Sequence, residues 1–310
     1  MDGLNSFVQV LILIGASTLG VIVALKTNLN MGGLMVIISS FSNIIWPLRS
    51  ISPQIISVSS IKVIFEDYDK TLKEEMPVTP LTIDSFENIS FNNVDLGYDK
   101  TILSNVNFSI NRNEKVLIVG PSGEGKSTLL KSILRELDPL DGEITTNNKK
   151  INQIEIKPYF DMFSLVHQKG FIFSNTVENN INLLGKEDTQ SHLDAVSLST
   201  LDKDLDLQND GSNISGGQRA RLMLARANFF NKDVVLTDEV FASLDQSIGE
   251  SLEKDMLSLP QTLINISHIV FKNNLDLYDK FLIVENGCVQ VSYNKDDVIA
   301  RMLETDVVIT

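Results

Sequence analysis

The sequence predicts an α/β domain behind a pair of apolar helices. Three observations carry this. The first sixty residues hold only three charged side chains, Asp2, Lys26 and Arg49. The remainder alternates short apolar runs with segments of helical spacing. One such run, Val116–Val119, leads through a glycine-rich turn into a helical pattern.

The 310 residues allow about two domains, at roughly 150 residues each. The formal net charge is −14, from 26 basic and 40 acidic side chains. The basic footprint of a polyanion binder is therefore missing, and no nucleic-acid partner is expected. The single cysteine, Cys288, excludes an intrachain disulfide and a cysteine-only metal site. Its setting, ENGCVQV, reads as a hairpin with the thiol packed rather than reactive. A hydrophobic fraction of 43 % supplies a core and argues against disorder.

The head reads as membrane. Crossing about 30 Å of hydrocarbon takes about 20 mostly apolar residues in a helix. FVQVLILIGASTLGVIVAL (Phe7–Leu25) and MGGLMVIISSFSNIIWPL (Met31–Leu48) each suffice, giving expected spans at 7–25 and 31–48. A signal peptide is one rival for the first segment, but no Lys or Arg precedes Lys26. A buried soluble hairpin is another. Arg49 and Lys62 follow the second segment, against Lys26 alone between the two. That bias places the C-terminal body in the cytoplasm, below a cell membrane crossed more than once. Gln9, Ser17, Thr18 and Asn43 are polar within the spans and call for further helices to face. Residues 1–75 thus read as a partial transmembrane domain with a cytoplasmic extension. Residues 76–85, with Pro77 and Pro80, read as a linker, and 86–310 as the acidic soluble body.

In the body, Val116–Val119 reads as a buried strand. Gly120, Pro121, Ser122, Gly123, Glu124, Gly125, Lys126 and Ser127 fit G-x-x-x-x-G-K-[ST], and Thr128–Leu137 continues with helical spacing. Strand, glycine-rich turn and helix together form the context of a P-loop. Its backbone N–H groups and the helix N-terminus bind phosphates. Lys126 reaches the β- and γ-phosphates, and the Ser127 hydroxyl can ligate Mg²⁺. Downstream, the apolar run from Asp233 ends in Asp238-Glu239. Asp238 sits where such proteins hold Mg²⁺. Glu239 is a candidate general base for an attacking water. Ser215, Gly216, Gly217 and Gln218 open a helix with apolar positions Leu222, Ala225 and Phe229. That is a second anion-binding end, which one nucleotide in one chain does not need. A symmetric dimer does need it, because each chain can offer one end to the other's nucleotide.

From Phe86 to Val308 the sequence resembles the ATP-binding cassette (ABC) transporters, in particular exporters that fuse membrane helices ahead of the nucleotide-binding domain. Ile214–Gln218, ISGGQ, resembles the signature sequence. Gln168, in SLVHQKGFIFSNTVENNI, looks like the Q-loop glutamine. Leu244-Asp245 resembles the end of the D-loop, His268 in LINISHIV looks like the switch histidine, and Tyr98 matches the aromatic that stacks on adenine. The resemblance implies a P-loop NTPase fold with a RecA-like core, an antiparallel β subdomain and a helical subdomain, behind a two-helix transmembrane segment. It further implies ATP and Mg²⁺ as ligands. The catalytic residues would be Glu239, His268 and Gln168, and the metal ligands Ser127, Gln168 and Asp238. ATP would be bound by Tyr98, residues Gly120 to Thr128, Ser215 to Gln218, and Asp245. Partners would be a second such subunit, identical or different, and additional membrane helices. The sequence departs from the family at Thr237, where an apolar residue is usual and a buried hydroxyl would need a partner. It departs again at Ala-Ser-Leu-Asp in the D-loop and at Asn209 ahead of the signature. Only two of six membrane helices are represented. Expected function is therefore ATP hydrolysis powering export. The alternative is a membrane-anchored ATP-binding regulator, or a remnant unable to transport. His167 and His192 read as structural or surface residues.

Overall fold

The computed structural model describes residues 14–15, 17–23, 25–27, 32–33, 35–36, 39, 81–167, 170–241, 244–302 and 308–310. The chain divides into two units, Met1–Met76 and Pro77–Thr310. In the first, the described residues are helical, and Ile14, Leu19, Ile22 and Leu25 are exposed. Most of the expected second span, and the start of the first, lie outside the described residues. Among the described residues, no helix is long and apolar enough to cross a membrane.

The second unit begins with a bridge from Leu81 to Ile154, and Ile83 and Phe86 are buried. Its strands are β1 (Asn88–Gly97), β2 (Thr101–Asn111), β3 (Lys115–Val119), β4 (Asp141–Thr146), β5 (Lys149–Lys150), β6 (Phe163–His167), β7 (Val234–Asp238), β8 (Thr262–Ile266), β9 (Ile269–Val270), β10 (Lys280–Glu285), β11 (Cys288–Ser292) and β12 (Val308–Ile309). Its helices, numbered within this unit, are α1 (Lys126–Ile133), α2 (Ile156–Asp161), α3 (Val177–Asn182), α4 (Gln190–Ala195), α5 (Gly216–Phe230), α6 (Gln246–Ser258) and α7 (Lys295–Met302).

A four-stranded antiparallel sheet has the order β2-β1-β4-β5. A six-stranded sheet has the order β11-β10-β3-β8-β7-β6, parallel except for the β10–β11 hairpin. Residues of β3, β7 and β8 are buried throughout, so these strands read as mostly apolar runs, interrupted by paired polar groups such as Thr237 and Asn265, rather than as alternations. Successive side chains point to opposite faces. Val116 and Ile118 join the core under the antiparallel sheet, whereas Leu117 joins the core with α5 and α6. Helices α3, α4 and α5 pack together through Ile181, Leu193 and Leu224 and form a helical part of this unit.

Two expectations need correction. Helix α1 was expected over Thr128–Leu137 but runs Lys126–Ile133. Arg135 takes a left-handed φ of 57°. Its guanidinium donates to the Ile154 carbonyl at 2.8 Å and lies 5.3 Å from the Tyr159 ring centroid. The buried Tyr159 hydroxyl donates to the carbonyl of Ile133, one of the acceptors left over at the helix end. Contacts from distant sequence thus end the helix early. Cys288 was expected to be packed. It lies in the expected hairpin, opposite Glu285, but on edge strand β11, and it is exposed.

One carboxyl lies deep in the core. Glu253 on α6 is 2 % exposed. It accepts from Asn265 Nδ2 at 2.9 Å, Tyr278 OH at 2.8 Å and Asn274 Nδ2 at 2.7 Å. Burial pushes its pKa up from 4.5 to about 7, and the nearby Glu250 adds to this; the three hydrogen bonds work in the other direction. Between those values the unfolded chain releases this proton while the folded chain keeps it. Stability therefore falls as pH rises from about 4.5 to about 7, by about 3 kcal/mol, and is level above that. Denaturant unfolding at pH values on either side of this window should show the step in the wild type and its loss in Glu253→Gln. A step of equal size in both proteins would assign it to other groups.

Candidate functional site: a phosphate loop beneath three strand ends

The site is built at the carboxyl ends of β3, β7 and β8. At Gly120 the chain leaves β3 so close to β10 that a Cβ would lie 2.0 Å from the Val284 carbonyl oxygen. At Gly125 the turn closes with φ 106°, a conformation that favours glycine. Gly125 is also the N-cap of α1. No side chain caps this helix, and its first turn carries no acidic residue. Its leading N–H groups are thus left for an anion. Lys126 is buried, and its ammonium donates to the carbonyls of Gly120 at 2.6 Å and Pro121 at 2.7 Å. The lysine is held over the loop it follows. Ser122 and Ser127 are exposed, and Thr128, in the first turn of α1, is buried.

Beside the loop lies a cleft of about 270 Å³ whose lining includes Ser127, Lys131, His167, Asp238 and Glu239. Asp238 ends β7 and is 8 % exposed. Burial raises its pKa; His167 and Lys126 pull it down, and Glu239 pushes it up. His167 Nε2 is 3.2 Å from Asp238 Oδ2. The two residues are register partners on β6 and β7. Glu239 turns off the strand with φ 55°, a strained conformation for a residue with a side chain. Its N–H is held by the Ile266 carbonyl at 2.9 Å. This places Glu239 Oε1 3.4 Å from His268 Nδ1, just beyond the end of β8. The His268 carbonyl in turn accepts from the N–H of Val308 at 2.8 Å, so β12 braces the histidine segment.

Ser215, Gln218 and Asp245 are not part of this cleft's lining, and Tyr98 meets it only through Lys131. Ser215 caps α5: its Oγ accepts from the Gln218 N–H at 3.1 Å, while Gln218 Oε1 accepts from the Ser215 N–H at 2.9 Å. This capping box rigidifies the ISGGQ turn. A Cβ at Gly216 would meet nothing within 4 Å, so that turn presents open backbone. Asp245 is the N-cap of α6 and makes no side-chain capping bond. Tyr98, just past β1, is 54 % exposed. Lys131 Nζ donates to its hydroxyl at 3.0 Å and lies 5.5 Å from its ring centroid. Gln168 lies outside the described residues.

Both His167 and His192 were expected to be structural or surface residues; His167 faces Asp238, whereas the His192 ring packs 5.3 Å from that of Phe229. Only the pairing of β6 with β7 separates the two. Sequence reasoning passed over Arg226 of α5. Burial lowers the pKa of this guanidinium. It donates to the carbonyls of Asn180 at 2.6 Å and Phe171 at 3.0 Å, and it lies 5.5 Å from the Phe173 ring centroid. The segment that follows Gln168 is thereby tied to the helix that ISGGQ opens. Thr237 has the partner its burial demands: its hydroxyl donates to Asn265 Oδ1 at 2.8 Å.

Residues 103–242 match the family model described as ABC transporter. The chain is 32 % identical over 216 residues to the transport/processing ATP-binding protein ComA of Streptococcus pneumoniae, covering 66 % of this chain and 30 % of that protein. It is 30 % identical over 236 residues to the lactococcin-A transport/processing ATP-binding protein LcnC of Lactococcus lactis, with 72 % and 33 % covered. Over 231 residues it is 30 % identical to the ATP-dependent lipid A-core flippase of Vibrio parahaemolyticus, with 70 % and 39 % covered. The chain thus spans about a third of the length of these curated relatives. The solved structure of a bacterial Atm1-family ABC exporter with ATP bound shares the fold, with a TM-score of 0.66 at 21 % identity, over 89 % of this chain and 53 % of that one. Residues 103–242 thus match the ABC transporter family, and strand order and loop geometry give the second unit the P-loop fold of that family's nucleotide-binding domain.

Proposed function

We propose that this chain is the ATP-hydrolysing part of an ABC exporter. The observation that carries this reading is the convergence of an uncapped P-loop helix with Asp238, Glu239 and His268 on adjacent strand ends.

The triphosphate would lie along the loop, where a Cβ at Gly123 would meet nothing within 4 Å. The α1 N–H groups and Lys126 would neutralise it. Tyr98, exposed and flat, would stack on the base, favouring ring area over base identity. Ser127 and Asp238 offer hard oxygen donors to one cleft and suit Mg²⁺; the family resemblance would add Gln168. That ion would supply charge neutralisation at the phosphates. Glu239 would accept a proton from water as its oxygen attacks the γ-phosphorus, and the bond to the β–γ bridging oxygen breaks, releasing ADP and phosphate. His268, held against Glu239, would face the same γ-phosphate.

The open backbone of Gly216 and the stiffened ISGGQ turn support a head-to-tail dimer, in which Ser215–Gln218 and Asp245 of one subunit complete the site of the other. ATP would shift the open–closed equilibrium by as much as it prefers the closed dimer. Gln168 and the segment clamped by Arg226 would carry that change toward membrane helices, at the cytoplasmic face of a cell membrane. Residues 1–75 would contribute two of those helices, 76–85 would link, and 86–310 would form the cassette. The second subunit, identical or different, would bring more helices.

Glu239→Gln should lower phosphate release about 100-fold or more and trap an ATP-bound dimer visible by light scattering. Unchanged turnover would remove Glu239 from the reaction. Tyr98→Ala should weaken ATP about tenfold, and GTP by the same factor, in equilibrium titrations. Loss of ATP binding alone would point to base-specific hydrogen bonds instead of stacking.

A further inference from the structure

Three elements that lead to the site share one buried chain of polar side chains. Thr237 precedes Asp238 on β7 and is the register partner of Asn265 on β8. The Thr237 hydroxyl donates to Asn265 Oδ1 at 2.8 Å. The Asn265 amide donates onward to Glu253 Oε1 at 2.9 Å and to Tyr278 OH at 2.7 Å. Tyr278 OH donates to Glu253 Oε1 at 2.8 Å, and Asn274 Nδ2 to Glu253 Oε2 at 2.7 Å. All five residues are buried. Glu253 belongs to α6, the helix that Asp245 begins.

A hydroxyl beside an amide between two central strands costs free energy unless every polar atom is paired. Here the pairing has a direction. Ionised Glu253 only accepts, so Tyr278 and the Asn265 amide must donate to it. That orientation turns the Asn265 carbonyl to Thr237. Protonated Glu253 carries a donor of its own and accepts more weakly, so the donors around it rearrange.

We propose that Glu253 is a positioning residue which, through Asn265 and Thr237, sets how the ends of β7 and β8 face each other, and so how Glu239 meets His268. The inference rests on ATP hydrolysis at this site. The bond chain reaches β7 one residue before Asp238 and β8 three residues before His268. None of its five residues is itself a lining residue of the cleft. The titratable groups around Glu253 are Tyr278, which follows the turn after β9, and Glu250 on its own helix; Asn265 and Asn274 are neutral. Burial brings the carboxyl to about 7, so the two hydrogen-bond patterns exchange near neutral pH.

The test is kcat and KM for ATP on the full chain from about pH 6 to about pH 9, with melting temperatures, for wild type, Glu253→Gln and Thr237→Val. The wild-type kcat should fall as pH drops through about 7. Glu253→Gln should lose about tenfold in kcat above that pH, keep its KM, and show no step there. Thr237→Val leaves the carboxyl in place but breaks the link to β7, so it should lose kcat and the step as well. If Glu253→Gln does not fold, Thr237→Val decides. A wild type that hydrolyses ATP beside a folded variant with unchanged kcat and an unchanged step overturns the positioning role alone. A wild type without ATPase activity overturns the hydrolysis reading, and the positioning role with it.

Discussion

Parallel pairing of β3, β8 and β7 is the constraint on which the site depends. The register sets Val116 beside Ile264 and Asp238 beside Ile266. These strands are buried throughout, so their backbone groups have no water to turn to and the ladder must hold. The three carboxyl ends therefore come out along one edge, where an open α/β sheet forms its crevice. The phosphate loop, the Asp238-Glu239 pair and His268 are the residues that happen to lie just past those ends. Their mutual distances follow from the ladder more than from any contact among themselves.

Two costs are visible at that edge, and each is met by neighbouring structure. Asp238 is buried beside a second carboxylate, which raises its pKa. His167 and Lys126 oppose that rise; His167 comes from the adjacent strand β6 and Lys126 from the start of α1. Glu239 adopts a left-handed backbone, which costs on the order of 1–3 kcal/mol. The hydrogen bond from its N–H to the Ile266 carbonyl keeps it there. That backbone turn is what swings the carboxylate off the β7 axis toward His268. Behind the same strands, Thr237 and Asn265 place polar groups where apolar packing would serve stability, and their pairing gives the core a preferred orientation.

The motifs were legible because each is a short-range device. A glycine-rich turn between strand and helix, a serine three residues before a glutamine at a helix start, and an apolar run ending in two acids all state their conformations locally. Each of these was found where expected. His167 was not legible, because its role comes from lying across from a residue about seventy positions away. The end of α1 was misplaced for a similar reason: Leu134–Leu137 keeps helical spacing, but Arg135 is drawn to Ile154 and Tyr159. Cys288 looked like a packed thiol in an apolar hairpin. Its exposure follows from β11 being the edge of the sheet, which no local pattern states.

The sequence by itself determined the candidate groups of this protein: a P-loop motif, a carboxylate pair, a glycine-rich turn opening a helix and a histidine after a strand, in one order along the chain. Local rules suffice for that, since turns, caps and apolar periodicity act over a few residues. Tertiary structure alone decided which of these groups meet. It set Glu239 against His268, recruited His167 to Asp238, tied Arg226 to the Phe171–Phe173 segment, and gave the unusual Thr237 its partner in Asn265. The physical reason is strand register, a relation between distant segments that is fixed only when both faces of the sheet are buried at once.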